Sequence, residues 1–111
     1  MTPIYTFATW QVREGELERV LNLLEDLTTQ SSAEKGNISY AVYQSHSDAN
    51  TLILVEGYTD DAALQTHRES QHFRSIVLEK VLPLLEDRKI VTTNIVTQKP
   101  DDLLTVGESL P

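Results

Sequence analysis

The chain has 111 residues, 40% of them hydrophobic, and 17 acidic against 9 basic side chains give it a formal charge of −8. That length suits one domain with a thin core, and the negative balance without a basic cluster argues against a nucleic-acid partner. With no cysteine, disulfides, thiolate nucleophiles and zinc–thiolate sites are excluded; with no long apolar run and no signal-peptide pattern at the start, a soluble cytoplasmic protein without membrane contact is expected.

Residues 4–12 alternate, with Ile4, Ala8, Trp10 and Val12 on one face and Tyr5 and Phe7 on the other. This pattern predicts a strand covered on both sides, broken at Glu14-Gly15. Leu17, Val20, Leu21, Leu24 and Leu27 follow the i, i+3, i+4 spacing of an amphipathic helix. It should stop near Ser31–Glu34, where Lys35-Gly36-Asn37 supplies a turn. Ile38–His46 predicts a second strand, with Ile38, Tyr40, Val42 and Gln44 on one face. Ser47–Asn50 reads as a hairpin loop, and Thr51–Tyr58 as a third strand with Leu52, Leu54, Glu56 and Tyr58 sharing a face.

Thr59-Asp60 is a helix N-cap signal. The helix should run to about Ser70, which could cap a second one continuing through Phe73, Ile76, Val77 and Val81. Pro83 should kink or end that helix. Arg88–Thr97 predicts a fourth strand. Residues 98–111, with Leu103, Leu104 and Val106, read as a tail beyond the 1–97 domain, either lying on something or frayed.

The order β-α-β-β-α-β is that of an α+β, ferredoxin-like fold: an antiparallel four-stranded sheet with both helices on one face. Large apolar residues remain on the other face, so a homodimer formed by two sheets packed face to face is expected.

Ala63, Leu64 and His67 share a helix face, which turns His67 toward the interior. There it is either a hydrogen-bonded core residue or a general base, since imidazole titrates near neutral pH. Glu56 occupies an apolar face, where a carboxylate is costly unless paired. It is a hydrogen-bonded structural acid or a helper for His67. Tyr40 and Trp10 are core residues or hold a flat ring by stacking and hydrogen bonding. His72 falls near a helix start and is expected to be exposed or to cap backbone. Five residues apart on one helix, the rings of His67 and His72 would point apart, and neither belongs to an HExxH pattern, so no metal is expected. His46 reads as solvated, Arg68 and Glu69 as solvated helix charges, and Glu34 as a helix end; little basic character is expected near the site.

Glu34-x-Gly36-x-x-x-Tyr40, then Glu56-Gly57-Tyr58-x-Asp60, then Ala63-Leu64-x-x-His67-x-x-Ser70-x-His72-Phe73 resemble, in this order and spacing, the antibiotic biosynthesis monooxygenase family of dimeric α+β barrels, over about residues 4–97. The resemblance implies a homodimer with one pocket per subunit between helices and sheet. It implies oxidation of a small phenolic or quinol substrate by molecular oxygen, with no cofactor: no flavin, haem or metal. His67 is the candidate catalytic base, and Tyr40, Trp10, Tyr58, Glu56 and His72 are the candidate substrate-binding residues. Tyr58 stands where the family often has Trp. Haem-degrading relatives carry an Asn and an iron-ligating His at positions that correspond here to Ala8 and Val77, which disfavours that activity.

The chemistry needs such a base. Triplet oxygen reacts slowly with closed-shell molecules, whereas a phenolate or hydroquinone anion reduces it readily; the protein supplies the base, a desolvated pocket and donors for the anion. Two other readings share the scaffold: an isomerase for a small polar metabolite, of the autoinducer-2 processing type and marked by extra Arg or Lys in the pocket, and a non-catalytic small-ligand-binding barrel.

Overall fold

Period-two alternation through Ile4–Val12 forms strand β1, which is central to the sheet in the computed structural model, where residues 2–99 are described. It is followed by α1 (Leu17–Ser32), β2 (Asn37–Gln44), β3 (Thr51–Tyr58), α2 (Asp61–Arg68), a π-helix (Phe73–Val81), a 3₁₀ turn (Leu82–Leu84) and β4 (Leu85–Thr93). The sheet order is β2-β3-β1-β4 and every pairing is antiparallel. This is the α+β ferredoxin-like arrangement expected from the element order.

Register aligns the inward side chains in cross-strand rows. Thr6 pairs with Glu56, which pairs with Tyr40; Ala8 lies between Leu54 and Ile90; Trp10 lies between Leu52 and Arg88. Onto these rows α1 lays Val20, Leu24 and Leu27, and the π-helix adds Ile76, Val77 and Val81. Each such aliphatic side chain contributes about 1.5–3 kcal/mol by leaving water. The turn into α1 is made by Gly15 at φ +86°, a left-handed conformation that glycine adopts without a Cβ clash. Asp60 caps α2 by accepting from Ala63 N–H at 2.9 Å, worth about 1 kcal/mol.

Several expected features shift, each for a local reason. Residue 38 is skipped between the pairs Asn37–Tyr58 and Ser39–Gly57, so Ile38 bulges out and is exposed instead of sharing the Tyr40 face. Helix α2 ends at Arg68, two residues early. Ser70 does act as a cap, its Oγ accepting from Phe73 N–H, but the segment it opens is π-wound, Leu82 N–H bonding Val77 O. Pro83 cannot supply a backbone donor, and the chain turns into β4 at Leu85. That strand starts three residues before the expected Arg88, because Leu85 and Asp87 find partners in Val12 and Gln11. It stops at Thr93, opposite Tyr5, where β1 has almost no chain left to pair.

On the sheet face away from the helices, Val91, Phe7, Val55 and Ala41 form one row. Phe7, Tyr43 and Val91 are 43%, 57% and 58% exposed, so the expected apolar outer face is present. Among the described residues no helix is long and apolar enough to cross a membrane. Leu103, Leu104 and Val106 lie outside the described residues.

Candidate active site

The site is assembled by a close approach between the α1–β2 turn and α2. Gly36 lies so near α2 that a Cβ built on it would collide with the Ala63 Cβ. Its carbonyl accepts from Thr59 N–H at 2.9 Å. Glycine is required here for proximity, and the consequence is that Glu34, two residues upstream, reaches under α2 to the histidines.

His67 is 2% exposed and lies between two carboxyl groups. Its Nδ1 bonds Glu34 Oε2 at 2.8 Å, while its Nε2 stands 3.5 Å from Glu56 Oε1. A carboxylate can only accept, so Nδ1–H donates to Glu34, and the neutral ring keeps its lone pair on Nε2, the Glu56 side. Glu56 Oε1 also accepts from the Tyr58 hydroxyl at 2.7 Å. The rings of Tyr58 and Phe73 pack at centroid distances of 5.2 Å from His67, and Tyr40 at 6.4 Å.

The electrostatics follow from burial. Burial pushes the Glu56 carboxyl above its ordinary range, opposed by the Tyr58 bond and by His67 and Arg68 and reinforced by Glu34. Burial, then the neighbouring Glu56, pushes the hydroxyls of Tyr40 and Tyr58 strongly upward, so both stay protonated donors. Burial lowers the Arg88 guanidinium, with Arg68 adding repulsion and Glu56 opposing it.

These groups border a cleft between sheet and helices, lined among others by Ala8, Trp10, Tyr40, Glu56, His67 and Arg88. Its cavity volume is about 40 Å³, smaller than the roughly 150 Å³ of a cavity that binds benzene. Among the described residues Trp10 Nε1 and Arg88 Nε are buried without an acceptor, two donors in the wall of the cleft. Ala8 and Val77 also line it and offer no ligand atom.

Of the residues singled out from sequence, His67, Tyr40, Trp10 and Glu56 meet at the cleft. Tyr58 is fully buried behind Glu56, and His72 lies across Glu34; neither is on the lining. Three expectations are corrected. His72 is neither exposed nor a backbone cap: its Nε2–H donates to Glu34 Oε2 at 2.5 Å. The two histidine rings do not diverge but lie 6.0 Å apart, because α2 ends between them. Arg68, although exposed, lines the cleft with Arg88, so basic character is present after all. Glu34, read as a helix end, is the residue whose place beside the histidines sequence reasoning missed, although it heads the Glu34-x-Gly36 stretch that carries the family resemblance. His46 is exposed as expected.

Residues 3–77 match the family described as Antibiotic biosynthesis monooxygenase. Two relatives whose names carry the word monooxygenase are YcnE of Bacillus subtilis, 31% identical over 60% of this chain and 70% of that protein, and Rv0793 of Mycobacterium tuberculosis, 33% identical over 65% and 70%. Among solved structures, PA3566 from Pseudomonas aeruginosa superposes with a TM-score of 0.81 at 29% identity, covering 87% of this chain and 97% of that one.

Proposed function

The chain belongs to the antibiotic biosynthesis monooxygenase family, and on that premise we propose that it is a cofactor-independent monooxygenase acting on a small phenolic or quinol compound with molecular oxygen. One observation carries the reading: a buried imidazole at the cleft whose Nδ1 is held by Glu34 and whose Nε2 stands 3.5 Å from Glu56 Oε1. His67 Nε2 takes the substrate proton. The resulting anion, held by donors in the cleft wall from Tyr40, Trp10 and Arg88, gives one electron to oxygen. Recombination at carbon forms a peroxide, and loss of water leaves one oxygen atom in the product; all electrons come from the substrate.

The protein acts as a homodimer in this reading. The row Val91, Phe7, Val55 and Ala41 with Tyr43 is an apolar face of the kind that a second sheet covers. A second reading is favoured by Arg68 and Arg88 at the cleft: these suit an anionic polar metabolite and an isomerisation using the same base.

Oxygen uptake with a panel of hydroquinones and anthrones, together with ¹⁸O₂ incorporation into product, tests both. Uptake that requires His67 supports the monooxygenase; full uptake by His67→Ala removes the base assignment. Turnover of a polar metabolite without any oxygen consumption replaces the first reading with the second.

A further inference from the structure

Glu34, His67 and His72 do more than hold one another. Their ligand atoms, His67 Nδ1, His72 Nε2 and a Glu34 oxygen, all lie within 4.8 Å of one another. They come from three separate pieces of chain: the α1–β2 turn, α2, and the start of the π-helix. His67 is buried, Glu34 and His72 are half-buried, and Glu34 Oε1 is buried with no hydrogen-bond partner among the described residues. Two imidazole nitrogens and a carboxylate with a spare oxygen form a donor set suited to Zn²⁺ and similar divalent transition metals. The objection from sequence, that a spacing of five turns the rings apart, does not hold once α2 ends at Arg68.

The geometry points to a Zn²⁺-class site at Glu34, His67 and His72 whose occupation switches the enzyme off. Ligands of a tetrahedral zinc at about 2.1 Å stand roughly 3.4 Å from one another. The Glu34 contacts of 2.8 and 2.5 Å therefore open by about 1 Å or less to admit the ion. A metal on His67 Nδ1 takes the lone pair there, so the remaining proton of the neutral ring sits on Nε2. Nε2–H then faces Glu56 and the cleft as a donor, and the base is lost. Metal binding and base catalysis exclude each other because they require opposite tautomers of one ring. The inhibition rests on the base reading above; the binding does not.

The test uses the full chain stripped with EDTA. Titration calorimetry with Zn²⁺ should find one site per chain, Co²⁺ should give the visible absorption of a low-coordinate site, and ¹⁵N spectra of His67 should show the proton moving to Nε2. His72→Ala and Glu34→Gln, each checked for folding by circular dichroism, should weaken binding roughly 100-fold or more, while His46→Ala should leave it unchanged. Zn²⁺ should abolish oxygen uptake and EDTA restore it, with Mg²⁺ inert because it prefers octahedral oxygen ligands. Absence of Zn²⁺ binding, or binding indifferent to both His72→Ala and Glu34→Gln, overturns the site. Tight binding that leaves oxygen uptake intact overturns the switch alone. If no substrate supports uptake, the function fails while the calorimetry and ¹⁵N arms still decide the site and its tautomer.

Discussion

Two carboxyl groups near opposite ends of the β2–β3 hairpin have opposite environments. At the tip, Asp48 is fully exposed and met by donors: Asn50 N–H at 2.9 Å, the Thr51 hydroxyl at 2.9 Å and Gln11 Nε2 at 3.1 Å. Those bonds, the backbone one foremost, hold its carboxyl below the usual range. At the other end, Glu56 is buried with one hydroxyl bond and a histidine nearby, and burial drives it the other way. The ladder between them is the same; what differs is whether donors outweigh desolvation. The first arrangement fastens a turn; the second disfavours the charged form of a carboxyl in the cleft wall, the kind of perturbation that clusters at functional sites.

The largest separation between the two ends should appear in turnover. His67→Ala should lower kcat by roughly 100- to 10,000-fold with the fold retained by circular dichroism; near-normal turnover would make the buried end merely structural. The contact that builds that end has the next largest effect. Gly36→Ala should cost about 1–3 kcal/mol by pushing α2 away, read from the urea midpoint, and should lower kcat as well by drawing Glu34 off His67.

The pH dependence of stability sharpens the contrast further, measured on metal-free protein. Glu56 has a raised folded pKa, so its contribution is present below the ordinary glutamate range and is lost as pH rises through the folded value; Glu56→Gln should remove that decline and gain on the wild type as pH increases. Asp48 has a depressed folded pKa, so its contribution is present above the ordinary aspartate range and is lost as pH falls through the folded value; Asp48→Asn should flatten the acid limb instead. Urea midpoints across the acid-to-neutral range check both signs, and slopes of the same sign would erase the distinction. The smallest effect is on rate at the tip: Asp48→Asn should leave kcat within about twofold, by oxygen uptake.

Much of this was legible in the residues. The alternation of Ile4–Val12 and Thr51–Tyr58 is local and survives into the sheet unchanged, and Asp60 announces its cap. Propensity missed the start of β4, because Asp87 is a poor strand former held in the sheet by Gln11, and Glu86 falls at the register shift between the Asp87 and Leu85 pairs. At the site, His67 was readable from its helix face with Ala63 and Leu64. Glu34 stood in the Glu34-x-Gly36 spacing, but its contact with the histidines was not readable, since it depends on a tertiary approach of Gly36 to Ala63. The convergence of His67 and His72 hinged on where α2 stops, and an early stop by two residues rotates every later side chain.

The Gly36–Ala63 approach also ties two distant positions into one heritable unit. A methyl on one side leaves room for only a hydrogen on the other. In a library randomising both positions, Gly36→Ala combined with Ala63→Gly should emerge as the functional exchange, while pairs of larger residues drop out. Descendants of this chain can trade the two side chains across the gap, but they cannot enlarge both.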